Sequence, residues 1–152
     1  MNNNKTILAA YGLGTVLIYS IAEIYTGSKY LFLSAFLAGI IGTRSGKISA
    51  SKNAKIITAA TLTLLSLLIG HIIAFLIIFD ALLKGHNSTW GSFLNEKGMY
   101  KIINGIIISH NWISTSVDIA VSVITANMEH GKFVSGTGKS NEIKLIKKLP
   151  NA

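Results

Sequence analysis

The sequence predicts an all-α, polytopic membrane bundle of about four transmembrane helices with both ends in the cytoplasm, on three observations. Half of the 152 residues are apolar and only 13% are charged, the apolar residues gather into long runs, and the basic residues gather between those runs. Soluble domains carry about 25% charged residues. A chain this short of charge cannot cover itself with a water-facing surface, so lipid is the natural solvent for most of it.

The first run extends from Thr6 to about Thr26 after a polar start containing Lys5, and only Glu23 interrupts it. At about 1.5 Å per residue it matches a hydrocarbon core of about 30 Å. A cleaved signal peptide is the rival reading, and the length of the run and the lack of a clear Ala-x-Ala site speak against it. The second run, 30–43, is short, but Lys29 and Arg44 can snorkel to extend it. Within it Ser34, Ala38 and Gly42 recur every fourth residue with Ala35 and Gly39 alongside. Such a face lets helix backbones approach closely in lipid.

Arg44, Lys47, Lys52 and Lys55 then occupy a loop with no acidic residue. The third run, 56–83, is apolar almost throughout and contains His71 and Asp80. Residues 84–104 read as the longest loop, whose Trp90, Phe93, Met99 and Tyr100 suit an interfacial segment. The fourth run, 105–128, is richer in Ser, Thr and Asn and holds His110 and Asp118. A basic tail, 132–152, follows. Because cytoplasmic loops collect Lys and Arg, the 44–55 loop and the tail belong inside, and even spans place the N-terminus there too. The domain organisation expected is a membrane domain over 1–131 and the tail.

Two features of the tail have plain readings. Ser135-Gly136-Thr137-Gly138-Lys139-Ser140 resembles the end of a phosphate-binding loop, but Phe133 stands where that pattern needs Gly and no strand precedes it. It reads as a flexible linker. Beyond it Lys144, Lys147 and Lys148 fall on one face of a short helix, set apart from the apolar Ile143, Leu145, Ile146 and Leu149, a pattern suited to an anionic membrane surface.

Several function classes recede. Thirteen of the fourteen basic residues are Lys and they sit between apolar runs, which is a topology signal rather than the Arg-rich face of a nucleic-acid binder. The absence of cysteine removes thiol catalysis and disulfides. No Gly-x-Ser-x-Gly, no His pair on one helix face and no clustered acidic motif points to an enzyme, a metal or a cofactor.

Ionisable groups at membrane depth are the remaining candidates, since each costs several kcal/mol unless paired or hydrated. Taking the outer boundary near Thr26, Ala81 and Asn104, Glu23 and Asp80 lie within about a turn of the surface, where they read as anchors, while His110, His71 and Asp118 lie about 9, 14 and 21 Å deep. Glu23 or Asp80 with the other three can form a descending proton relay. The plainer role is an interhelical hydrogen-bonding set helped by Ser109, Asn111, Ser114 and Ser116. The sequence marks no broken helix, which favours the plainer role.

The leading expectation is therefore a small non-enzymatic protein that associates, through the Ser34, Ala38, Gly39 and Gly42 face, with another membrane protein or itself. Accessory subunits, immunity proteins and exclusion-type proteins work this way. The alternative is an ion- or proton-conducting subunit. Richness in Asn, Lys and Ile suggests an AT-rich bacterial genome and hence the bacterial cytoplasmic (inner) membrane.

Overall fold

Five helices follow one another: α1 (Asn3–Thr26), α2 (Leu31–Gly46), α3 (Lys52–Gly85), α4 (Trp90–Ser109) and α5 (Trp112–Ile146). They belong to a computed structural model that describes the backbone of residues 3–26, 31–48 and 50–146, with side chains over 6–26, 32–48, 50–95 and 98–131. The structure is 92% helical and has no strand among the described residues. A helical bundle is thus the fold.

Small residues set the packing. Gly12 of α1 lies against Leu62 and Ser66 of α3, and Gly70 of α3 lies against Val16 and Tyr19, so α1 and α3 run parallel. Residues early in α1 face the end of α2, as Tyr11 with Arg44 shows, so this pair is antiparallel. On the other side of α2 a Cβ added at Gly42 would fall on Thr125 Oγ1 and the Ser122 carbonyl, and one at Gly46 would lie 2.6 Å from Glu129 Cβ. Helices this close gain dispersion contacts along their whole seam. The small-residue face expected to meet a partner protein is therefore covered within the chain, by α5.

Ends are tied by recognisable caps. Ser51 opens α3 by accepting from Ala54 N–H, and buried Lys55 donates from Nζ to Gly46 O at 2.9 Å. That bond places a cation on the carbonyl end of α2, where the helix dipole is negative.

The four expected spans are met only in part. Only two single helices are long and apolar enough to cross a membrane, Thr6–Thr26 and Lys52–Gly85, and the bent pair Gly98–Ser109 with Trp112–Gly131 is a third candidate among the described residues. α2 has 16 residues, about 24 Å of rise, which is short of a hydrocarbon core of about 30 Å. The fourth run is not one helix: its halves meet at an angle of 58°. Asn111 causes the break. Its side-chain oxygen accepts the Ser114 N–H at 3.1 Å, starting a new helix in the manner of an N-cap.

Two further expectations change. Residues 84–104 are largely helical rather than a loop, because Thr89 and Ser92 form a capping box that launches α4. Gly98 alone departs from helical geometry inside α4, at φ +70°, a region open to glycine at no steric cost. The linker expected at 135–140 lies within the continuous backbone of α5. Lys147 and Lys148 lie outside the described residues, as does the side chain of Lys144.

The interior is more polar than the exterior. Among the described residues fourteen polar or charged side chains are buried against twelve apolar ones, while Leu13, Leu17, Phe32, Phe36 and Ile113 are prominently exposed. A protein in water sorts its residues the other way.

Candidate functional site

A buried polar group is assembled where α1 ends, α3 passes and α4 gives way to α5. His71 Nδ1 lies 2.7 Å from Glu23 Oε1, with His71 2% exposed and Glu23 9%. On the other side of the ring, Nε2 faces Ser109 Oγ at 3.0 Å and Ile106 O at 3.3 Å. A carbonyl only accepts, and the Ser109 hydroxyl donates to that same Ile106 O at 3.2 Å. Both neighbours thus present acceptors, and Nε2 carries a proton and donates.

That assignment determines what lies between His71 and Glu23. With Nε2 protonated, one proton occupies the Nδ1–Oε1 contact and sits either on the imidazole, giving an ion pair, or on the carboxyl, giving a neutral pair. The pair has the same net charge in both forms. The two forms differ only in the position of one proton.

The break in the chain completes the site. Backbone groups released by ending a helix in an apolar environment cost several kcal/mol if left alone. Here Ile106 O receives His110 N–H at 3.1 Å and Ile107 O receives Trp112 Nε1 at 3.3 Å. His110, at the end of α4, turns inward: its ring centroid is 5.0 Å from that of His71, and its Nε2 is 2.9 Å from Thr115 Oγ1. Trp112 packs edge-on against His110 at 4.5 Å. A cleft of about 160 Å³ between Glu23, His71, Ser109 and the aromatic rings of Phe75 and Phe79 opens onto the pair.

Asp118 lies further along α5 and is 1% exposed. It is hydrogen-bonded to Ser34, while its Oδ1 has no hydrogen-bond partner, as is also true of Glu23 Oε2. Tyr19, in the core beside Leu37 and Leu67, is within electrostatic reach of both Glu23 and Asp118. Below these, Thr63 donates to Ser122 at 2.8 Å and Ser122 to Ala59 O at 3.3 Å. Polar side chains therefore continue down the interface of α3 and α5.

Two placements differ from the sequence expectation. Glu23 is buried and paired rather than anchored at a surface, because the end of α1 meets α3 at His71 and not near Ala81. α3 runs on for about 16 Å past the end of α1. Asp80 stands apart from the site: it accepts from Trp90 Nε1 at 2.7 Å and pairs with exposed Lys84 at 2.6 Å, fastening the α3–α4 hairpin. Ser34 bonds Asp118 of α5, Ala38 is fully buried and Gly42 lies tightly against α5, whereas Gly39 meets that helix loosely, since a Cβ there would touch Val121 Cγ1 at 3.9 Å.

Sequence reasoning missed Tyr19, Thr115 and the Tyr11–Arg44 contact. Tyr19 and Glu23 are four apart and share a helix face, which was a usable signal. Arg44 carried none, because its partner lies on another helix, and Thr115 carried none, because its contact with His110 depends on the break between them. Among the described residues no group of three or more His, Asp or Glu is placed to hold a metal ion. No family model, curated protein or solved structure matches the chain.

Proposed function

We propose that the chain is a multi-pass integral membrane subunit that passes protons through its polar interior, with Glu23–His71 as the exchange site and Asp118 as the next acceptor. The observation that carries this reading is the buried carboxylate–imidazole contact at 2.7 Å beside a break in the apolar run at His110–Asn111. Intramembrane ionisable residues and broken helices are what proton and ion pathways use. The small-residue face that favoured a partner is occupied by α5, and the missing broken helix that disfavoured a relay is supplied by Asn111. Both shifts favour the relay.

In this reading α1, α2, the first two-thirds of α3 and α5 cross a bacterial cytoplasmic membrane, with the Arg44–Lys55 end inside and the α3–α4 hairpin outside. Purified protein in liposomes holding a pH-sensitive dye, under a potassium-diffusion potential, tests it. Wild type is expected to acidify the lumen, and Glu23→Gln and His71→Ala to lower the rate at least tenfold, about 1.4 kcal/mol or more in barrier. Ser116→Ala, at an exposed site bonded only to Trp112 O, should keep it. No flux from wild type ends the proposal.

A second reading, a non-enzymatic accessory, immunity or exclusion-type protein, draws on α4. Among the described residues that helix packs mainly on α3 and leaves Met99, Tyr100, Ile103 and Ile107 at least half exposed. Affinity purification from native membranes decides it: a stoichiometric membrane partner lost on Tyr100→Lys supports it, and a homo-oligomer without other proteins removes it.

A further inference from the structure

We infer that the outer face of α1 and α2 is a binding site for one diacyl phospholipid with an anionic headgroup, held head-first by Arg44 and Tyr11. Two apolar troughs meet there. One, of about 530 Å³, runs along α2 from Arg44 past Thr43, Ile40 and Gly39 to Phe36. The other, of about 340 Å³, runs along α1 from Tyr11 past Gly14 to Ile18, with Leu37 and Ile40 on its far wall. Both volumes lie in the range of ligand clefts, about 300–1,000 Å³.

Tyr11 and Ile40 line both troughs, so Ile40 is a ridge between two channels that start from one point. Each channel covers about eight residues of helix, or about 12 Å, close to the depth of one leaflet at about 15 Å. Two apolar channels diverging from one polar end match two acyl chains and a headgroup. Glycine makes both concave: a Cβ at Gly14 would meet nothing within 4 Å, and one at Gly39 only Val121 Cγ1 at 3.9 Å.

The polar end selects charge. Arg44 is the only arginine in the chain. Its Nη2 donates to Tyr11 Oη at 2.7 Å while its guanidinium stacks over the Tyr11 ring at 4.7 Å, which fixes the fork in place. Arg44 pairs with no carboxylate among the described residues. Its remaining N–H groups suit the bidentate geometry of a phosphate, and the Tyr11 hydroxyl, accepting from Arg44, keeps its own proton to donate. Lys47 lies three residues on, so the surrounding field is positive.

This inference rests on the membrane reading but not on the proton relay. The test is native mass spectrometry of protein released from detergent containing equal phosphatidylglycerol and phosphatidylcholine, after membrane fractions are washed with carbonate to confirm that each variant is integral. Wild type is expected to retain one phosphatidylglycerol in about fivefold preference, the scale of one partly exposed charged hydrogen bond. Arg44→Gln should erase the preference while lipid of either kind still binds. Gly14→Leu with Gly39→Leu should remove both lipids, because each glycine floors a trough that a leucine side chain fills, and a Cβ at either position makes no contact closer than the 3.9 Å from Gly39 to Val121 Cγ1. Equal retention of the two lipids by wild type, an unchanged preference in Arg44→Gln, or full retention in the double leucine variant each overturns the inference. Loss of wild type in the carbonate wash overturns the membrane reading instead.

Discussion

Among single residues, Glu23 and His71 have to be separated into what they do for stability and what they do for function. Removing one member of a buried pair leaves the other without a partner and costs about 3–5 kcal/mol. His71→Ala should therefore lower the thermal midpoint in detergent by roughly 10 °C at about 2–4 °C per kcal/mol. Replacing both with leucine removes the polar demand together with its satisfaction, so Glu23→Leu with His71→Leu should recover most of that stability and still carry no proton flux. Recovery of flux along with stability would show that the pair only packs. His71, His110 and Asp118 were legible as candidates because polar groups stand out in apolar runs. Their partners were not, since the Glu23–His71 contact depends on how far α1 slides along α3, and no local pattern encodes that axial shift.

Elements divide into seams that tolerate no added atom and surfaces that do. Gly42 is in a seam, where a Cβ would strike Thr125 and the Ser122 carbonyl, whereas at Gly39, one turn away, it would make only an ordinary contact with Val121 Cγ1 at 3.9 Å. Gly42→Ala is expected to cost about 1–3 kcal/mol through overpacking, while Gly39→Ala leaves the melting midpoint close to that of wild type. A paired thermal-shift measurement checks this, and equal midpoints for the two variants would contradict the α2–α5 seam. The break at His110–Asn111 makes a second test at this scale. Asn111→Ala removes the cap on α5 and should cost about 1 kcal/mol, together with a loss of proton flux as His110 leaves His71; a stable variant with normal flux would mean that the break is incidental. Sequence periodicity found the small-residue face and all the apolar runs. It missed the break because neither Pro nor Gly stands between Ile106 and Val117, and one asparagine does not stand out among the Ser and Thr residues of that run. It missed α4 because a Thr–Ser capping box sits in mixed composition.

For the whole molecule, orientation follows from length as well as charge. α3 has 34 residues, about 51 Å of rise, against about 40–45 Å for a bilayer with its headgroups. α1 has 24, about 36 Å. Since the two run parallel with Glu23 level with His71, the surplus of α3 projects at the end that carries Asp80, Trp90 and the α3–α4 turn. The opposite end holds Arg44, Lys47 and Lys52, and in the proposed membrane reading it is the cytoplasmic one. A chain without cysteine lets this be read directly by single-cysteine labelling with no background to remove. Gly85→Cys is suitable because nothing lies within 4 Å of its Cβ, and Ala50→Cys is exposed in the basic loop. A membrane-impermeant maleimide added to intact bacterial cells expressing the variants should label Gly85→Cys at once and Ala50→Cys only after the membrane is permeabilised. The reverse order would invert the bundle, placing the Glu23–His71 pair nearer the cytoplasm and the Arg44 headgroup site in the outer leaflet; labelling of both positions in intact cells would remove the odd number of crossings between them on which the membrane topology depends.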